Sequence, residues 1–143
     1  TFLMINPGNL IPARYDLGRT FRGWAEFAVA VEDARRLAGA EWIAPASYDA
    51  TAELAYHLRG TPVPVVAIAE RQRYVFASPP DRALLAKAAL VISKDNDAAR
   101  FARCFATVKP VAEINRSTPA GEYERFYAFR ADGAYPGLFE KGC

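Results

Sequence analysis

Cysteine is scarce in this chain and histidine scarcer: the cysteines are Cys104 and Cys143, and the one histidine is His57. Two cysteines are too few for a disulfide framework, and they form no Cys-x-x-Cys pair. Cys104 falls on a predicted helix and reads as a small buried hydrophobe. Cys143 reads as a mobile terminal residue, and a bridge between the two is the alternative. One histidine with no cysteine or carboxylate cluster beside it leaves no ligand set for zinc or non-haem iron. No metal and no other cofactor is expected.

The glycines are equally uninformative about nucleotides. No Gly-x-Gly-x-x-Gly follows a predicted strand, and there is no Walker lysine loop and no Gly-x-Ser-x-Gly elbow. Neither sign of charge dominates, with 18 basic against 16 acidic residues, a net charge of +2. That balance, with the basic residues scattered, gives no general attraction to nucleic acid, and no nucleic-acid partner is expected. Long hydrophobic runs are missing too. The longest charge-free stretch, Thr1 to Ala13, contains Pro7, Gly8 and Pro12 and is too short to cross a bilayer, which takes about 20 apolar residues. It lacks the layout of a signal peptide. A start at Thr1 reads as a processed product or a piece of a longer chain.

What is present is a globular α/β pattern. Apolar residues make up 52% of the 143 and charged residues 24%, enough to build a core in one domain. Residues 1–20 read as an extended arm and residues 21–143 as a single α/β domain. Trp24, Phe27, Ala28, Val31, Ala34 and Ala38 fall at helical spacing, and Gly39 ends the helix. Glu41 to Pro45 reads as a strand. Ser47 or Asp49 starts a second helix with Leu54 and Leu58 inward, ended by Gly60 and Pro62. Val63 to Ala69 and Leu90 to Ser93 read as further buried strands. Ser78-Pro79-Pro80-Asp81 starts a third helix and Asp95 a fourth. Val108 to Asn115 and Glu122 to Ala131 form a closing hairpin, joined by a turn over Ser117 to Gly121. The alternation predicts a three-layer, Rossmann-like sheet of about five mostly parallel strands, with this C-terminal antiparallel hairpin at one edge.

In such a sheet ligands bind beyond the carboxyl ends of the strands. That points to Tyr48, Asp49 and Glu53 after the first strand and to Arg71, Arg73 and Tyr74 after the second. Two arginines, tyrosines and a helix start suit a sugar or phosphate; a solvated charged loop is the plainer reading. Asp49, Glu53 and His57 share a helix face at spacing four, a weak acid–base constellation. Glu53 is expected to have a structural role, bonded to backbone or to Arg71 or Arg73. No catalytic residue is assigned.

Several stretches resemble the C-terminal soluble region of bacterial glycosyltransferase family 39, the protein-mannosyltransferase-like group of polytopic enzymes. They are Asp16 to Trp24, Ser47 to Leu58 with its Glu53-Leu54-Ala55 centre, Arg71 to Phe76, and Tyr123 to Gly137. Together they cover residues 16 to 137. The resemblance implies an enzyme that transfers a sugar from a polyprenyl-phosphate donor. Its catalytic aspartate would lie in an early loop between membrane helices, absent from this chain. Residues 1–20 would then link to a membrane helix, and the partners would be the transmembrane part of the same polypeptide and a lipid-linked sugar or glycan acceptor. The domain would sit on the periplasmic, extracytoplasmic face of the inner membrane as an accessory to acceptor or donor recognition. The alternatives are an independent module binding a sugar or nucleotide, and a stand-alone transferase or hydrolase.

Overall fold

The computed structural model describes residues 20–21, 23–117, 120–121 and 123–143, with only the backbone of Thr20, Phe21 and Tyr123. Residues 1–19 of the expected arm over 1–20, Thr118 and Pro119 of the expected turn, and Glu122 at the expected strand start lie outside the described residues. The elements are β1 (Thr20–Phe21), α1 (Trp24–Ala38), β2 (Trp42–Pro45), α2 (Tyr48–His57), two 3-10 turns (Arg71–Tyr74 and Arg82–Ala86), β3 (Ala89–Ser93), α3 (Ala98–Phe101), β4 (Phe105–Ser117), β5 (Tyr123–Ala134) and α4 (Leu138–Lys141).

The sheet order is β1-β4-β5-β3-β2. β1 runs parallel to β4 and β2 to β3, while β5 is antiparallel to both β3 and β4. β1 is two residues long. Among the four longer strands one pair is parallel, so the mostly parallel Rossmann-like sheet expected from the sequence is wrong. Two physical reasons account for the correction. First, Val63 to Ala69 is not a strand. Pro62 and Pro64 bring no backbone N–H, and the segment lies beside β2 with one bridge, Ile43 to Val65. The amide of Ile43 donates to the Pro64 carbonyl at 2.9 Å, and the amides of Val66 and Ile68 donate to Ile43 and Pro45 at 3.0 Å.

Second, the hairpin sits in the middle of the sheet and not at its edge. β5 is apolar on both faces: Phe126 and Ala128 belong to one core, Phe129 and Ala131 to the other. A strand with two apolar faces is stabilised by cover on both sides, which a central position between β4 and β3 supplies. β2 and β3 are buried at every position and alternate in the same way. Ile43, Leu90 and Ile92 pack with α1 and α2, while Trp42, Ala44, Ala89 and Val91 pack with the Arg82–Ala86 turn, α3 and α4. β4 carries an irregularity between Pro110 and Ala112, where the proline has no amide to give.

α1 matches its expected pattern. Phe27, Ala28, Val31 and Ala34 are buried, and Gly39 closes the helix in the left-handed region at φ 70°. Arg130 of β5 donates to the Ala38 carbonyl at 2.5 Å, which ties the helix end to the sheet. The expected third helix is the 3-10 turn Arg82–Ala86, and the expected fourth is the four-residue α3. Asp81, not Ser78, accepts the capping bond, from Ala83 at 3.0 Å, and Asp97 accepts from Arg100 at 3.2 Å.

Gly133, at φ 73°, stands opposite Ala106. A Cβ there would lie 2.8 Å from the Ala106 Cβ, an atom with no rotamer to escape into. Gly133→Ala combines left-handed strain with overpacking and is expected to cost about 2–4 kcal/mol. The shift in urea midpoint at unchanged slope measures it.

Cys104 and Cys143 are joined in a disulfide, which corrects the expectation that Cys143 is mobile. The end of the chain is held for a reason the cysteine count did not show. Leu138 and Phe139 of α4 are buried, Phe139 lies edge-on to Trp42 at 5.7 Å, and the Cys143 amide donates to the Ile68 carbonyl at 2.6 Å.

Candidate functional site

α2 begins just beyond the carboxyl end of β2, and the 70–77 loop follows the extended segment beside that strand. The two meet. Tyr48 and Tyr74 lie 6.2 Å apart between ring centroids. The Arg73 guanidinium stands over the Tyr48 ring at 4.4 Å and that of Arg71 over Tyr74 at 5.1 Å. Four of the six residues singled out in the sequence are therefore neighbours.

The loop has its own bracing. Glu70 starts it at φ 54°, the one positive φ outside glycine among the described residues. Its carboxylate accepts from Arg73 Nε at 2.8 Å. Arg71 donates from Nε to the Phe139 carbonyl at 2.8 Å and from Nη1 to the Ala67 carbonyl at 3.1 Å. Arg71 thus fastens the loop to α4 through two of its five N–H donors.

The two acids stand apart from that group. Asp49 Oδ2 accepts from Lys94 Nζ at 2.7 Å, and its Oδ1 from the Ala50 amide at 2.8 Å. Lys94 follows β3, whose parallel pairing with β2 carries it to the same sheet end. That residue was missed in the sequence; its signal was its place directly after a strand. Partial burial pushes the Asp49 carboxyl up, but the hydrogen bond and charge of Lys94 and the Ala50 amide outweigh it and hold the group below its ordinary range.

With the folded-state value depressed, the contribution of Asp49 is full above the unfolded value of about 3.9 and is lost as pH falls through the lower folded value. Both side chains are nearly half exposed, so solvent screening keeps the effect to about 1 kcal/mol or less. Asp49→Asn is expected to show a small stability deficit that is constant near neutral pH and closes below about pH 4. Paired urea titrations across that range would refute it if the deficit grew in acid.

Glu53 meets neither arginine. Its Oε1 lies 3.6 Å from His57 Nε2, one turn along α2, and both side chains are partly exposed. A pocket of about 160 Å³ opens between Thr51, Val65, Arg71, Tyr74 and Pro80. Glu53 and His57 do not line it. Its volume is below the roughly 300–1,000 Å³ of ordinary ligand sites. Among the described residues no group of histidine, cysteine and carboxylate side chains is arranged to hold a metal ion, and no helix is long and apolar enough to cross a membrane.

Comparison with known proteins adds no relative: no protein-family model, curated protein or solved structure matches the chain.

Proposed function

We propose that this chain is an extracytoplasmic accessory domain of a polytopic membrane glycosyltransferase that uses a polyprenyl-phosphate-linked sugar. The domain aids recognition of donor or acceptor and leaves the chemical step to the membrane part. The resemblance of four stretches to the family 39 soluble region is the starting point. The observation that carries the reading further is the bridge between Cys104 and Cys143. Structural disulfides belong to oxidising compartments such as the periplasm. The site chemistry is compatible: arginines stacked on tyrosines suit a sugar or phosphate at an open surface.

The test is the reading frame upstream of Thr1. A run of membrane helices preceding the domain is expected, and a frame without them would end this reading. In the parent enzyme, loss of the domain should raise KM for donor or acceptor more than it lowers kcat. A second reading, an independent module binding a small ligand, draws on the pocket beside Arg71 and Tyr74. Calorimetry with sugars, nucleotides and polyprenyl-phosphate head-group analogues separates the two. Binding by a chain with no membrane parent would favour the second.

A further inference from the structure

Exposed apolar surface is unevenly distributed over this molecule. Six large hydrophobic or aromatic side chains are exposed among the described residues: Val29 and Leu37 on α1, and Tyr48, Tyr56, Val75 and Phe76. Val75 and Phe76 belong to the loop that meets Tyr48 at the start of α2, and Tyr56 lies about 12 Å further along that helix. Phe76 is 99% exposed and Val75 68%. The pair forms the tip of the 70–77 loop, immediately after the Tyr74 ring that faces Tyr48. Tyr48, Ala52 and Tyr56 follow at spacings of four along α2, Arg59 lies in the turn just after it, and all four are exposed, so the face continues down that helix.

We propose that this surface is a membrane-docking face, with Val75 and Phe76 entering the interfacial layer of a lipid bilayer and the tyrosines and arginines lying at headgroup level. Three observations favour lipid over a protein partner. The tip is a pair of adjacent residues. A valine and a phenylalanine fall far short of the roughly 800 Å² per side of a stable protein interface. Behind the tip stand residues with apolar bodies and polar ends: Tyr74, and Tyr48 beneath Arg73, with Tyr56 beneath Arg59 further along α2, at 4.0 Å from guanidinium to ring centroid. That combination suits the water–hydrocarbon boundary. Finally, Tyr74 to Pro80 carries no charged side chain, and the Arg73 guanidinium beside it is already paired with Glu70 at 2.8 Å, so entry of the tip strips no unpaired ion of water.

The bonds from Arg71 to Phe139 and Ala67 hold the loop in place, so little ordering accompanies insertion. The inference goes beyond the transferase reading and stands without it: a parent lacking membrane helices would leave the vesicle result unchanged.

The experiment uses the whole chain with Phe76→Trp and vesicles of mixed phosphatidylcholine and phosphatidylglycerol. Phe76 is nearly fully exposed, so the variant should keep the fold; circular dichroism checks it. Titration to millimolar lipid should shift the new emission to the blue, with an association constant on the order of 10³ M⁻¹, below that of a single myristoyl chain. Brominated lipid should quench Phe76→Trp several-fold more than it quenches Val29→Trp, whose reporter lies on α1. In wild-type background, Phe76→Ser should weaken vesicle co-sedimentation about tenfold, as expected for most of a buried phenylalanine. An unshifted and unquenched Phe76→Trp overturns the proposal. So does equal quenching of both reporters, and so does a blue shift without vesicles accompanied by dimerisation, which would make the tip a contact between copies.

Discussion

Phe126→Ala is expected to remove about 3–5 kcal/mol of stability, a large share of the roughly 5–15 kcal/mol that holds an ordinary domain folded. Phe126 is 1% exposed in β5, and its ring meets two aromatic rings from α1. Phe27 is 4.6 Å away, Trp24 is 6.1 Å away, and those two are 5.4 Å from each other. Removing the central ring leaves a cavity between the helix and the middle of the sheet. Neither surface can close it without giving up other contacts. Phe126→Leu keeps most of the volume and should cost about 1.5 kcal/mol or less. Urea unfolding of both variants provides the measurement. A loss below about 1 kcal/mol for the alanine would mean that α1 is held to the sheet by something other than this cluster.

The bridge between Cys104 and Cys143 is expected to have the next largest effect. It closes a separation of 39 residues, for which unfolded-chain entropy gives about 3–4 kcal/mol. Reduction, or the double variant Cys104→Ser with Cys143→Ser, should lower Tm by roughly 10 °C. The unreduced protein, unfolded in denaturant, should show no reactive thiol. Two thiols per chain would remove the bridge and, with it, the main structural support for an extracytoplasmic setting.

The parts of the fold legible in the sequence were those set by local pattern. The period of Trp24 to Ala38, the αL stop at Gly39, and the buried runs of β2 and β3 needed no tertiary information. Strand order was not local. The two apolar faces of β5 were visible in Phe126 and Phe129, but nothing nearby in the chain said which strands would cover them. Val63 to Ala69 misled because β-branched residues outweighed the missing amides of Pro62 and Pro64. The bridge was hidden because Cys143 is held by α4, a helix of only four residues. In the site, Tyr48, Arg71, Arg73 and Tyr74 are neighbours as the facing-walls reading expected, although the second wall follows an extended segment and not a strand. It did not anticipate that Arg71 would be engaged by α4, that Asp49 would find Lys94, or that Glu53 would face His57.

The central place of the hairpin also governs when the domain can form. β2 pairs with β3, but the remaining face of that pair waits for β5, and β1 waits for β4 some ninety residues later. A ribosome or translocation channel that has released this sequence only as far as residue 100 holds a chain whose two longest strands, β4 and β5, are still to come. Folding is therefore expected late and in one step, once β5 has emerged and can zip between its neighbours. Cys143 lies beyond β5 and α4, so the bridge to Cys104 closes only after both hairpin strands have emerged.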